Sequence, residues 1–167
     1  MRLNLLSLLC LLVLAGCATH PAMPPPGPPS PLFPTEALIT QRVIFAARGA
    51  QFPLNGYLAL SPTRGKRLVV TENFGHVVAD VLVKPDGRVF VMQSSRMFPP
   101  NYIRYGLAVD LETIFGRKLD PLGPVKSPQP DHFVLARGTR YRLDVQVVQV
   151  KTGPQPAELF DETKAEP

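Results

Sequence analysis

A few side chains in this sequence have types and spacings that invite chemistry. His76 and Asp80 lie four residues apart in His76-Val77-Val78-Ala79-Asp80. On a regular strand both project from one face, and a His–Asp pair can relay a proton. The same strand holds them about 13 Å apart, at ~3.3 Å per residue, too far for a direct hydrogen bond. The plainer reading is two solvent-facing polar residues. Ser94-Ser95-Arg96 sets hydroxyls beside a cation. There is no Gly-x-Ser-x-Gly elbow, however, and spacing brings no histidine to them. The three histidines, His20, His76 and His132, lack metal-ligand spacing. No glycine-rich phosphate loop occurs. These patterns lead to the expectation of a non-enzymatic protein with no metal and no cofactor.

The two cysteines, Cys10 and Cys17, belong to an N-terminal address. Arg2 supplies a short positive region, and Leu5 to Leu14 is an apolar run. The run is shorter than the roughly 20 residues a membrane span needs. Leu14-Ala15-Gly16-Cys17 then resembles the bacterial lipobox at every position. Similarity to lipoprotein precursors implies that residues 1–16 are a signal peptide, and that Cys17 becomes the acylated mature N-terminus. Three acyl chains anchor durably where one anchors only weakly. Ala18 in place of Asp implies sorting to the outer membrane, facing the periplasm. No thiol is then left for a disulfide, a metal or catalysis.

Residues 17–35 follow as a tether. Eight prolines between Ala18 and Thr35 exclude a helix and a sheet ladder. Extended at ~3.1 Å per residue, the stretch spans about 55 Å. It serves as a spacer or as a docking segment for proline-binding domains. Residues 154–167 carry four acidic side chains against Lys164 and are expected to be a disordered tail. The domain between, 36–153, holds 16 Lys+Arg and 9 Asp+Glu, a net charge of +7 against +5 for the whole chain. Its cations are dispersed, without the interleaved aromatics of a nucleic-acid surface. They form a solvated face or one attracted to anionic headgroups.

Short alternating runs place the remaining elements. Strands are expected over Ile39–Ala47, Gln51–Leu60, Lys66–Thr71, His76–Lys84, Val89–Gln93, His132–Ala136 and Arg140–Lys151. Pro85-Asp86-Gly87-Arg88 is a hairpin turn. Asn101 is a helix cap, and Ile103, Leu107, Leu111 and Ile114 form one apolar stripe from Tyr102 to Phe115, with Asp110 and Glu112 elsewhere. Gly116 stops that helix, with Arg117 and Lys118 beside its negative end. Leu119–Asp131, with four prolines, is a loop. The alternation slips at Val147-Val148, as at a bulge or a strand buried on both faces. The expected class is mainly β (α+β): a curved antiparallel sheet covered by one helix.

The spacing also singles out Phe74, in the polar connection Glu72-Asn73-Phe74-Gly75-His76. It either folds inward or protrudes toward a lipid or partner. The stretch Arg67 to His76 resembles LolB-type outer-membrane lipoproteins. So do the Lys84–Arg88 hairpin, Phe52-Pro53-Leu54-Asn55-Gly56-Tyr57-Leu58, and the closing runs Phe133–Leu135 and Tyr141–Val145. The resemblance covers most of residues 40–150 and rests on apolar and glycine positions. The chain departs from that family in its single clear helix, its long tether and its lack of tryptophan. The resemblance implies a LolA/LolB-like incomplete β-barrel whose apolar concavity receives lipid or lipoprotein acyl chains. It also implies a membrane-contacting residue at Phe74 and a periplasmic carrier or envelope protein as partner. Leu54, Leu58, Val70, Val81, Phe90 and Leu143 are the expected lining; a one-residue slip in register would invert that set. The alternative is a scaffold lipoprotein of an envelope complex, with no cavity.

Overall fold

Ala37–Ala47 (β1) and Ala50–Ser61 (β2) pair along their whole length, from Ala37 opposite Leu60 to Ala47 opposite Ala50. Odd-numbered residues of β1 face inward, and Ile39 is fully buried. Gly65–Glu72 (β3), Val77–Val83 (β4) and Val89–Gln93 (β5) extend the sheet from β2. Val125–Gln129 (β6), His132–Ala136 (β7) and Arg142–Thr152 (β8) extend it from β1. The result is one open antiparallel sheet in the order β5-β4-β3-β2-β1-β8-β7-β6. This computed structural model describes residues 33–116 and 125–165. Residues 1–32, which hold the expected signal segment, Cys17 and most of the expected tether, residues 117–124 with Arg117 and Lys118, and residues 166–167 lie outside the described residues.

Bulges curl the sheet. The pairing of β1 with β8 slips between Thr40 and Gln41, leaving Val148 as the extra residue. That is where the alternation failed in the sequence. Three more slips occur, between β3 and β4, between β4 and β5, and between β6 and β7. Each extra residue bends its strand and increases the local twist.

One helix, α1, fills the concave face over residues 100–116. It starts one proline earlier than its expected cap: Pro99 is extended, Pro100 is the first helical residue, and Asn101 lies inside. Proline suits that position because its missing N–H would have had no intrahelical partner. Ile103–Leu107 and Glu112–Gly116 are wound more widely, as π-helix. Ile103, Leu107, Leu111 and Ile114 are all buried against the sheet, as their stripe requires. Gly106 is matched to its place, because a Cβ there would sit 3.0 Å from the Tyr102 ring.

Asp110 and Glu112, which lie off the apolar stripe, are nonetheless buried, at 1% and 2% exposure. Three expectations need correction. Residues 125–129 are an edge strand rather than loop, with Pro128 tolerated because an edge has free backbone groups. The tether ends inside the domain: Phe33 is buried, its ring 5.2 Å from Phe115 and 5.8 Å from Phe133. The acidic C-terminal segment is ordered up to residue 165, with short turns at Ala157–Phe160 and Glu162–Lys164.

That last segment straps the convex face. Phe160 packs with Ala59, Leu82 and Met92 in a second apolar cluster, and Phe90 and Leu159 pack against it. Basic side chains of the sheet then bind the strap backbone. Arg64 donates to the Gln155 carbonyl, Arg67 to Leu159, and Lys84 to Phe160. Lys84 also pairs with Glu162. Covering both faces explains why β4 reads as an almost unbroken apolar run. The eight strands, the helix and both clusters are all built from described residues, so the domain from Phe33 onward carries its own core. Phe160→Ala is expected to cost about 3 kcal/mol, read as a lower urea midpoint. A midpoint equal to that of the parent domain would mean that the strap is not part of the folded core.

Candidate functional site

The strand register gathers several connections at one end of the sheet. Ala47 faces Ala50 across the Arg48-Gly49 turn. Leu54 faces Glu72, which puts the Asn73–Gly75 tip beside that turn. Ala46 faces Arg142, which brings the Arg137–Arg140 turn to the same end. Asp80 faces Gln93, so the segment holding Arg96 leaves the sheet there as well. The N-terminus of α1 follows it.

A cleft of about 920 Å³ opens between the Arg48-Gly49 turn, the Arg137–Arg140 turn, the Arg96 segment and α1. Its walls are aromatic. Phe45 lies at the centre, 5.1 Å from Phe98, 5.8 Å from Tyr141, 6.1 Å from Tyr102 and 6.3 Å from Phe52, ring to ring. Tyr102 meets Tyr141 edge-on at 5.4 Å. Such tilted contacts suit the ring quadrupoles. Arg48, Arg96, Arg137 and Arg140 line the cleft too.

Asp110 is the carboxylate in this lining. The Arg137 guanidinium donates to its Oδ1 from Nε at 2.9 Å and Nη2 at 2.7 Å. The Tyr141 hydroxyl donates to its Oδ2 at 2.6 Å. Burial pushes the Asp110 carboxyl above the usual carboxylate range, and the bonds from Tyr141 and Arg137 only partly offset this. Burial, then the bond to Asp110, pushes the Tyr141 phenol up to about 12. The Tyr102 hydroxyl is buried nearby with no hydrogen-bond partner among the described residues.

Beneath α1 the concave face is almost filled. An apolar cavity of about 40 Å³ remains, far below the ~300 Å³ of a ligand pocket. Leu54, Val70 and Leu143 line it as expected. Leu58 and Val81 are buried in the same core but do not border it. Phe90 is a correction: Val91, opposite Val81, takes the inward position, so Phe90 points to the strap. The cavity also touches Gln41 and Asp110. Gln41 crosses the sheet at Gly56, where a Cβ would lie 2.7 Å from its side chain.

The other sequence candidates disperse. His76 is exposed in a turn, whereas Asp80 is buried and held by Arg67 at 3.0 and 2.6 Å. They are neither a relay nor two solvent-facing residues. Ser95 accepts a bond from the Phe98 N–H at 3.2 Å and shapes the turn into α1. His132 lies 2.7 Å from Asp144 on the convex face, away from the cleft. Phe74 protrudes, 90% exposed, at the cleft end. Among the described residues no group of three metal-ligating side chains occurs, and no helix is long and apolar enough to cross a membrane. Sequence reasoning missed the cleft because its walls come from two sheet turns, the Arg96 segment and α1, which no spacing relates. No family model and no curated protein matches this chain.

The two phenols predict opposite outcomes. Tyr141→Phe leaves Asp110 short of a donor and is expected to lower stability by about 1–2 kcal/mol. Tyr102→Phe removes a partnerless buried hydroxyl and is expected to leave stability unchanged or raise it by up to about 1 kcal/mol. The folded Tyr141 keeps its proton up to about 12, above its ordinary 10.0, so the unfolded chain releases it first. Stability should therefore fall as pH rises across that window. Urea midpoints and phenolate absorbance of the two variants check this; matching alkaline profiles in parent and Tyr141→Phe would refute it.

Proposed function

We propose that this chain is a membrane-anchored lipoprotein of the outer membrane, facing the periplasm, that binds a lipid or lipoprotein acyl chain. Its work is non-enzymatic: moving or assembling envelope lipids or lipoproteins. The observation that carries this reading is the aromatic cleft of about 920 Å³. The acyl chain enters that cleft rather than the space beneath α1. An open, curved eight-stranded sheet around one helix is also what a LolA/LolB-like incomplete barrel requires.

Burial drives such binding. At ~25 cal/mol per Å², a few hundred Å² of acyl chain removed from water supplies several kcal/mol. Phe74 stands at the same end of the sheet, so an exposed ring meets the membrane where cargo passes. A second reading, a scaffold lipoprotein within an envelope complex, draws support from the core cavity of only about 40 Å³.

Native mass spectrometry of the domain from Phe33 onward, purified from its own cell envelope, is expected to retain lipid or lipoprotein. Its cleft should also take up an apolar dye that the lipid displaces. No adduct and no dye uptake would leave the scaffold reading in place. Phe74→Glu is expected to preserve the fold and the bound lipid but to slow transfer to vesicles; transfer at the parent rate refutes the role of the tip. In the full chain, Cys17→Ser should abolish palmitate labelling and release the protein from membranes. Continued labelling would overturn the anchor.

A further inference from the structure

We propose that the open cleft recognises a phosphate-bearing headgroup, and that its ligand is therefore an anionic phospholipid-type amphiphile bound as a single molecule. This rests on the acyl-chain reading of the same cleft. The argument is charge complementarity. Four arginines line the cleft with one carboxylate. Arg137 and Asp110 neutralise each other. Among the described residues, Arg48, Arg96 and Arg140 have no ion pair, which leaves three positive charges beside an aromatic wall. One carboxylate headgroup would balance only one of them. A phosphate monoester carries about −1.5 to −2 at pH 7, and its oxygens match the planar guanidinium fork.

Arg48 adds an independent observation. It is the one described residue other than glycine with a left-handed backbone, at φ 52°. Gly49 beside it has φ 79°, so both central residues of this two-residue hairpin turn have positive φ. Such turns favour Asn-Gly. An arginine there strains the backbone for no packing return, and backbone strain of this kind collects at functional sites. The strained residue is also one of the three unpaired cations.

That position supplies a clean test. Arg48→Asn removes the charge and relaxes the turn, so the variant should be at least as stable as its parent. Arg140→Gln removes a second charge. Titration calorimetry on the domain from Phe33 onward would compare dihexanoyl phosphatidic acid with dihexanoyl phosphatidylcholine below their micelle concentrations, and with inorganic phosphate alone. Phosphatidic acid is expected to bind about tenfold tighter than phosphatidylcholine, and each substitution to weaken it by about tenfold. Added salt should narrow the preference. Equal binding of the two lipids, unmoved by either substitution, would overturn the headgroup assignment while leaving acyl-chain binding intact. Inorganic phosphate binding as tightly as phosphatidic acid would overturn the amphiphile. Binding of neither lipid would remove the acyl-chain reading as well.

Discussion

The fold depends on how one helix is fastened inside an open sheet. A sheet that does not close has no ladder to hold its two wings at a fixed curvature. Here α1 spans the concavity and carries two buried carboxylates. Asp110 is tied to Arg137, in the turn between β7 and β8. Glu112 is tied to Lys66 of β3, with 2.6 Å between Nζ and Oε1. The pairs therefore reach opposite wings. Buried pairs add little net stability over apolar packing, but losing one partner costs about 3–5 kcal/mol when the other stays buried. The pairs fix where the helix lies, while the apolar stripe of Ile103, Leu107, Leu111 and Ile114 supplies the burial that keeps it there.

That fastening also decides where a ligand has room. A helix seated this closely leaves about 40 Å³ beneath it. Space opens instead beside Tyr102, Tyr105 and Asp110 of the helix, where two turns of the sheet and the Arg96 segment stand apart around Phe45. The Asp110 carboxylate borders both spaces. The polar seam of Asp110, Arg137 and Tyr141 therefore separates a dry core from an open aromatic cleft. Apolar walls favour a chain, and the unpaired arginines favour an anion. One amphiphile meets both conditions.

Much of this was legible from residue order, and the misses share one cause. Alternation in β2 and β8 revealed their inward faces, and the slip at Val147-Val148 marked a bulge. Phe90 was misassigned because Val89-Phe90-Val91 is apolar on both faces, and only the partner strand reveals its register. The strap was read as disordered because its composition is acidic and proline-containing. Its order comes from Arg67 on β3 and from Arg64 and Lys84 in the connections flanking β3 and β4, far away in sequence. A hint did exist: Val77 to Val83 is apolar on both faces except at Asp80, and such a strand needs cover on both sides.

By itself the sequence determined an antiparallel β-rich domain with one covering helix. That follows from local patterns: apolar periods of two and of about 3.6 residues. Tertiary structure alone decided the pairing of charges and the site. Asp110 with Arg137, Glu112 with Lys66, and Asp80 with Arg67 are each brought together by strand register or helix docking. The cleft likewise joins residues from Phe45 to Tyr141, which no spacing relates. Local sequence sets the direction in which a side chain points along its own element. Which side chain it meets depends on how the elements pack.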